Sequence, residues 1–305
     1  MKPHEYSCVI ITPTIGRASL ARCMASVSQQ TYKHITHLII IDGADREAAV
    51  RDCISSMPHM QRNIKLVTLP DETGCGMYNG YRICAGFSYL VNEDIVFFLD
   101  DDNWFDPQHV DRCLSALDRH ETEWAYSLRR ICYNDGTFMI DDDSDSLGFW
   151  RRDAAYQGPS NKLRHDFALF YSIYPFLIDT NCFAFRRELL VRTSFHLLDG
   201  DCAFTSHLVK SAAGACTGSR TVNYRVRKQL ERQLFTYFRR GRVSMMKRYN
   251  GALPWTHSQR LEPIALQQTT LPVHHASLSE AQRRIRLGSP SIFSHPDRRK
   301  PPEPV

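Results

Sequence analysis

The first half of the chain alternates between two hydrophobic patterns. Short apolar runs stand at Ser7–Ile11, Ile35–Ile41, Ile64–Leu69 and Asp94–Leu99. Between them, apolar residues recur every three to four positions: Arg17–Gln29 with Leu20, Met24 and Val27; Asp45–Met57; Met77–Val91 with Tyr78, Tyr81, Ala85 and Tyr89; Pro107–Arg119 with Val110, Cys113, Leu114 and Leu117. Spacing near 3.6 predicts amphipathic helices, and short continuous apolar runs predict buried strands. Their alternation predicts an α/β protein with a mostly parallel sheet flanked by helices and right-handed crossovers.

The second half is less regular. Strands are expected at Glu123–Tyr133, Thr137–Ile140, Asp179–Arg186 and Thr221–Arg225, with Asn134-Asp135-Gly136 as a hairpin turn. Glu188–Thr193 and Cys202–Ala213 read as short helices. Gln229–Tyr249 reads as a basic helix interrupted at Gly241. Asp141–Arg164 reads as a long acidic-to-mixed surface loop, a length that suits a lid or binding loop. Residues 256–305, rich in Pro, Ser, His and Arg, read as a tail that is at least partly disordered.

Composition changes the picture in three ways. Hydrophobic residues make up 43% of the 305 and charged residues 23%, enough apolar content for a sizeable core. The longest apolar runs, such as Leu38–Ile41 and Ile95–Leu99, fall far short of the roughly 20 residues of a membrane span. Met1-Lys2-Pro3-His4-Glu5 has no apolar signal core, and the ten cysteines are scattered with no CxxC pair, so reduced thiols in a cytoplasmic protein are expected. Charge is uneven: residues 1–219 are net −7, residues 220–248 carry ten basic side chains against Glu231 alone, and residues 249–305 are net +3. The basic segment 220–248 therefore suggests an anionic partner.

In an open parallel sheet, ligands bind beyond the carboxyl ends of the strands. Here the first strand ends in Thr12-Pro13-Thr14 with Arg17 following, the second in Asp42-Gly43, and the fourth in Asp100-Asp101-Asp102-Asn103. Three adjacent carboxylates repel, and a hard divalent cation relieves that repulsion through oxygen ligands. A solvated acidic turn is the alternative, because Asp106 and Pro107 open a helix just after.

Taken together with Asn79, these residues resemble glycosyltransferase family 2 with the GT-A fold. The resemblance covers roughly residues 7–225 and is dense over 7–110. It implies one large domain, 1–225, with a nucleotide-sugar-binding half (1–110) and an acceptor half (111–225), then a basic amphipathic helix (226–255) and the tail. It implies that Thr12, Pro13 and Thr14 line the base and ribose pocket, with Arg17 beside them, and that Asp42 contacts the uracil or ribose. Asp100 to Asp102 stand where the family carries its DxD motif. Asp102 would coordinate Mn²⁺ or Mg²⁺, and Asp100 or Asp101 would reach the ribose or the metal shell. The family's arginine at the start of the third helix is missing from Met77-Tyr78-Asn79, and Arg82 is the candidate replacement. Asp179 and Asn181 would floor the donor-sugar and acceptor pocket.

An inverting transfer needs a general base beside the acceptor hydroxyl. Asp201, at the mouth of the 202–213 helix, is the first candidate and Asp199 the second; Asp201 capping its helix is the alternative. Trp104, Trp150 and Tyr156 could stack on a sugar or simply pack. His196, His207 and His257 are candidate third metal ligands. The reading is a metal-dependent, inverting transferase using a nucleotide-diphosphate sugar, most naturally a UDP-sugar. The acceptor is left open among a saccharide, a lipid-linked glycan and a nucleic acid. The rivals are a non-catalytic nucleotide- or polyanion-binding protein on the same scaffold and a DNA-modifying glycosyltransferase of phage type. A NAD-dependent enzyme is disfavoured because no GxGxxG follows the first strand.

Overall fold

The structure is a computed structural model, and it describes residues 5–57, 63–74, 80–150 and 176–264. The first strands and helices follow the predicted order: β1 (Cys8–Thr14), α1 (Leu20–Ser28), β2 (Ile35–Ile41), a 3₁₀ turn and α2 (Glu47–Ser55), β3 (Ile64–Thr68), α3 (Tyr81–Phe87), β4 (Ile95–Phe98), β5 (Trp104–Phe105) and α4 (His109–His120). Then come β6 (Trp124–Cys132), β7 (Phe138–Asp141), β8 (Phe183–Arg186), α5 (Arg187–Thr193), α6 (Asp201–Ser211), β9 (Gly214–Arg225), α7 (Glu231–Arg248) and β10 (Gln259–Leu261).

All ten strands form one sheet, with the central order β10-β9-β6-β8-β4-β1-β2-β3. The half formed by β4-β1-β2-β3 is parallel throughout. The other half is mixed: β8 runs antiparallel to both β4 and β6, whereas β6 and β9 run parallel. β4 carries four fully buried apolar residues because it has neighbours on both sides and helices over both faces. On α4, the predicted stripe Val110, Cys113, Leu114 and Leu117 is the buried face.

Strand direction decides where the chemistry lies. The carboxyl ends of β1, β2 and β4 share one edge. β8 runs opposite to β4, so the turn before it, residues 179–182, reaches that same edge. β6 runs opposite to β8, so its later half, from Leu128 onward, comes there too, and β9 follows it in parallel to Arg225.

Three expectations need correction. The helix expected to break at Gly241 is continuous over Glu231–Arg248. Gly241 is buried there, and a Cβ on it would stand 2.1 Å from Ser144 Cβ, so the glycine permits a close approach rather than a break. The acidic start of the expected 141–164 surface loop is interior: Asp142 through Leu147 are at most 2% exposed, because basic side chains neutralise the carboxylates. Residues 151–175 lie outside the described residues. The tail expected from 256 begins with β10, which extends the sheet beside β9, so Gln259–Leu261 are strand. Smaller shifts follow from tertiary contacts. β9 is far longer than the predicted 221–225, and Thr180–Cys182 is a 3₁₀ turn ahead of β8.

Candidate active site

The site is built on the common edge. Asp101 is 1% exposed and holds the end of β1 to the end of β4. Its carboxylate accepts from the Thr14 hydroxyl at 2.7 Å, from the Ile15 N–H at 3.4 Å and from Arg17 Nη1 at 2.5 Å. Arg17 Nη1 also reaches Asp102 at 3.2 Å. Asp102 keeps a quarter of its side chain exposed, at 24%.

Asp42 is buried beyond β2 and accepts from the Thr73 N–H at 2.6 Å, the Thr73 hydroxyl at 2.8 Å and the Gly74 N–H at 3.0 Å. Arg82 donates to the Thr73 carbonyl at 3.2 Å, so it belongs to the same corner. Gly80 closes the gap between α3 and β1: a Cβ there would come within 2.8 Å of Pro13 Cγ. Asn79 lies outside the described residues. Thr12 is not at the mouth; it is 0% exposed, with its hydroxyl 2.9 Å from His37 Nε2 inside the sheet.

The turn before β8 ties the two sides of the site together. Asn181 Oδ1 accepts the Asp100 N–H at 2.6 Å, and Asn181 Nδ2 donates to Asp100 Oδ2 at 2.9 Å. Asp179 accepts from the Asn181 N–H at 3.0 Å and from Nδ2 at 2.7 Å. The Thr180 hydroxyl donates to the Asp201 carboxylate. Asp201 is the first residue of α6, yet no side-chain cap is made; the residue before it, Gly200, occupies the cap position. Its carboxylate turns instead to Thr180 and Tyr81. Asp199 is exposed at the end of a 3₁₀ turn.

These contacts set the electrostatics. Burial first, then the Asp102 and Asp179 carboxylates, push Asp100 up to about 8. Burial, then Asp179, push Asp201 up to about 7, against the hydrogen bonds from Thr180 and Tyr81 and the charge of Arg129. Arg227 lies close enough to interact with both Arg17 and Asp102. Asn103 accepts the Arg225 N–H at 3.0 Å, which fixes the end of β9 against the aspartate run.

The donor set fits a hard cation that takes one or two carboxylates and fills its shell from water and phosphate. Asp102 and Asp100 offer oxygen ligands, and their mutual repulsion is what such a cation relieves. No third ligand joins them: among the described residues, no group of three His, Cys, Asp or Glu is set to hold a metal ion. His196 and His207 pack against each other with ring centroids 3.7 Å apart and planes tilted by 31°, and His257 is exposed next to β10. Of the stacking candidates, Trp104 lies under Arg22 at 4.7 Å and Trp150 packs edge-on against Trp255 at 5.6 Å. Tyr156 lies outside the described residues.

Sequence reasoning missed Arg129. It is 2% exposed and pairs with Asp142 at 2.7 Å and with Asp179. The ring of Tyr224 lies 4.5 Å from its guanidinium carbon. The available signal was an arginine inside the apolar strand Trp124–Cys132, which requires a buried carboxylate partner.

The family model for glycosyl transferase family 2 matches residues 9–191, more than half of the chain and all of the aspartate edge. The chain belongs to glycosyl transferase family 2. It is a glycosyltransferase, and its single mixed sheet with flanking helices is the GT-A fold. Among solved structures it is similar to S. aureus TarS 1-349 in complex with UDP, at 12% identity and a TM-score of 0.49 over 92% of this chain and 71% of that one. The same TarS piece in complex with UDP-GlcNAc gives 10% identity and 0.47, over 92% and 72%. The mannosyltransferase PcManGT from Pyrobaculum calidifontis, in complex with GDP-Man and Mn²⁺, gives 14% and 0.43, over 67% and 52%. Comparison with curated proteins finds no match. Among the described residues of this family 2 member, no helix is long and apolar enough to cross a membrane.

Proposed function

We propose that this family 2 enzyme transfers a sugar from a UDP-sugar to an acceptor hydroxyl with inversion, using Asp201 as general base. One observation carries this reading. The 179–181 turn grips Asp100 through Asn181 and Asp201 through Thr180, so a carboxylate on the donor side and a carboxylate suited to take a proton are both held by one turn. Pro13, Thr14 and Asp42 line the nucleoside side, with Arg82 holding the Asp42 corner; Asn79, outside the described residues, is a further candidate nucleotide-sugar contact. Asp201, held near neutral proton affinity, takes the proton of the acceptor hydroxyl as that oxygen attacks the anomeric carbon from the face opposite the diphosphate. Asp199 is the second candidate for this role.

Asp102 and Asp100 would hold Mn²⁺ or Mg²⁺, and the cation would supply positive charge toward the departing nucleoside diphosphate. Arg17 and Arg227 add fixed positive charge at the same rim. The acceptor is a saccharide, a lipid-linked glycan or a nucleic acid. The basic segment 220–248 meets an anionic part of it or another anionic partner. The described cysteines are mostly buried thiols, which suits the reducing cytoplasm.

The test is a screen of UDP-sugars for metal-dependent hydrolysis by the full chain, with Asp102→Ala beside it. Release of UDP from at least one UDP-sugar, lost in Asp102→Ala, supports the reading. Hydrolysis unaffected by that substitution, or no turnover of any UDP-sugar alongside turnover of a GDP-sugar, contradicts it.

A further inference from the structure

Arg129 sits behind the site rather than in it. It projects from β6 into a fully enclosed position and meets three carboxylates from two segments: Asp142 and, at 3.9 Å, Asp145 on the acidic run, and Asp179 on the catalytic turn. The acidic run is itself fixed. Asp142 accepts from the Ser144 N–H at 3.0 Å and the Asp145 N–H at 2.8 Å, Tyr237 on α7 donates to Asp145 at 3.1 Å, and Ser144 packs on Gly241. Backbone adds a further tie, since the Asp179 N–H donates to the Ser146 hydroxyl at 3.1 Å. Aromatic rings of Tyr224 and Phe238 flank the guanidinium at 4.5 and 5.8 Å and keep water away.

Asp179 uses its two oxygens in opposite directions. One accepts from Arg129, and the other accepts both hydrogen bonds from Asn181. Asn181 then holds Asp100, and Thr180 between them holds Asp201. The line Arg129–Asp179–Asn181–Asp100, with its branch from Thr180 to Asp201, runs without a gap from the interior to both reacting sides.

We propose that Arg129 is a positioning residue that acts through Asp179, locking the 179–181 turn so that Asp100 and Asp201 face the donor and the acceptor at the same time. This rests on the assignment of Asp201 and Asp100 made above. It also gives the acidic 141–147 run a role: it anchors Arg129 from behind. An arginine suits this place because its planar fork donates to two carboxylates at once, which a lysine ammonium on the same strand does not match. Small displacements of reacting groups are enough to slow the chemistry strongly.

The experiment compares wild type, Arg129→Met, Arg129→Lys and Arg129→Met/Asp179→Asn. It reads kcat and KM for the UDP-sugar that wild type hydrolyses fastest, UDP affinity by titration, and folded content by circular dichroism. In Arg129→Met, kcat is expected to fall about 100-fold, with UDP affinity lowered far less, within about fivefold, because Thr14, Asp42, Asp101 and Asp102 do not depend on this line and of the donor-side groups only Asp100 does. The acid limb of the kcat profile moves to higher pH, because Arg129 is one of the charges favouring ionised Asp201; among the described residues, Asp179, Tyr81 and the Cys84 thiol also interact with Asp201. In the double variant the stranded carboxylate is gone, while the amide oxygen introduced by Asp179→Asn can still accept from Asn181, so about tenfold of the kcat returns. If Arg129→Met does not fold, Arg129→Lys decides: folded with kcat lowered about tenfold supports the proposal, and folded with wild-type kcat overturns it. Equal loss of kcat and UDP affinity, or no recovery in the double variant, also overturns it. Asp201→Asn is run in parallel. If it keeps full turnover, the assignment of the base has failed; if it is inactive while Arg129→Met is fully active, only the role of Arg129 has failed.

Discussion

Replacing Asp201 with asparagine should make the protein more stable and nearly inactive. The side chain keeps its shape, and the Thr180 hydroxyl can still donate to Oδ1. What is lost is the charge and the ability to take a proton. In the folded chain Asp201 is pushed from an ordinary 3.8 up to about 7, first by burial and then by Asp179. The sign follows from linkage. Between those two values the folded state holds a proton that the unfolded chain has released, so stability falls as pH rises. Above 7 the full penalty of the ionised, partly buried carboxylate remains. At 1.36 kcal/mol per unit, that penalty at pH 8 is on the order of 2–4 kcal/mol. Asparagine carries none of it, so Tm at pH 8 should rise by about 4 °C or more. Removing a general base should lower kcat by about 10²–10⁴-fold. The assay pairs thermal unfolding at pH 8 with hydrolysis of a UDP-sugar, and adds UDP titration as a check on the donor side. A lower Tm, or turnover within about threefold of wild type, would refute the reasoning and return Asp201 to a structural role.

Other consequences can be checked directly. The kcat/KM of wild type should fall about tenfold per pH unit below roughly 7 and level off above it, because the base must be ionised; a flat profile between pH 5.5 and 8 would exclude Asp201 as base. Asp102→Ala should remove the metal-dependent part of UDP binding while Tm changes by less than about 2 °C, because this side chain is partly exposed, its ion pair with Arg17 lies at the rim, and its removal also relieves the repulsion on Asp100. Gly241→Ala should destabilise by about 1–3 kcal/mol, because the added methyl collides with Ser144 across the α7 contact; an unchanged Tm would mean that the contact is loose.

Much of the edge at the ends of β1, β2 and β4 was legible because it depends on local order. Apolar runs ending in Thr14, Asp42 and Asp100 fix both the strands and the edge at which they stop, and parallel alternation then brings those ends together. The second half of the chain was harder to read because long-range charge decides it. Asp142, Asp143 and Asp145 look like a solvated loop until Arg129, Arg220 and Arg242 arrive from β6, β9 and α7 to neutralise them. Gly241 looks like a helix break until Ser144 is packed on it. Thr12 belongs to the Thr-Pro-Thr run but points inward to His37, a choice that strand pleating makes and composition does not reveal. Asp201 was placed at its helix start correctly, whereas its partners, Thr180 and Tyr81, come from segments far away in the chain.

The most direct measurement is calorimetric titration of UDP into the full chain with Mn²⁺ and again with EDTA. The expected result is micromolar binding that requires the metal and disappears in Asp102→Ala. Binding of equal strength in EDTA, or no binding of UDP, GDP, CDP or dTDP under either condition, would contradict a metal-dependent nucleotide-sugar site at the Asp100–Asp102 edge.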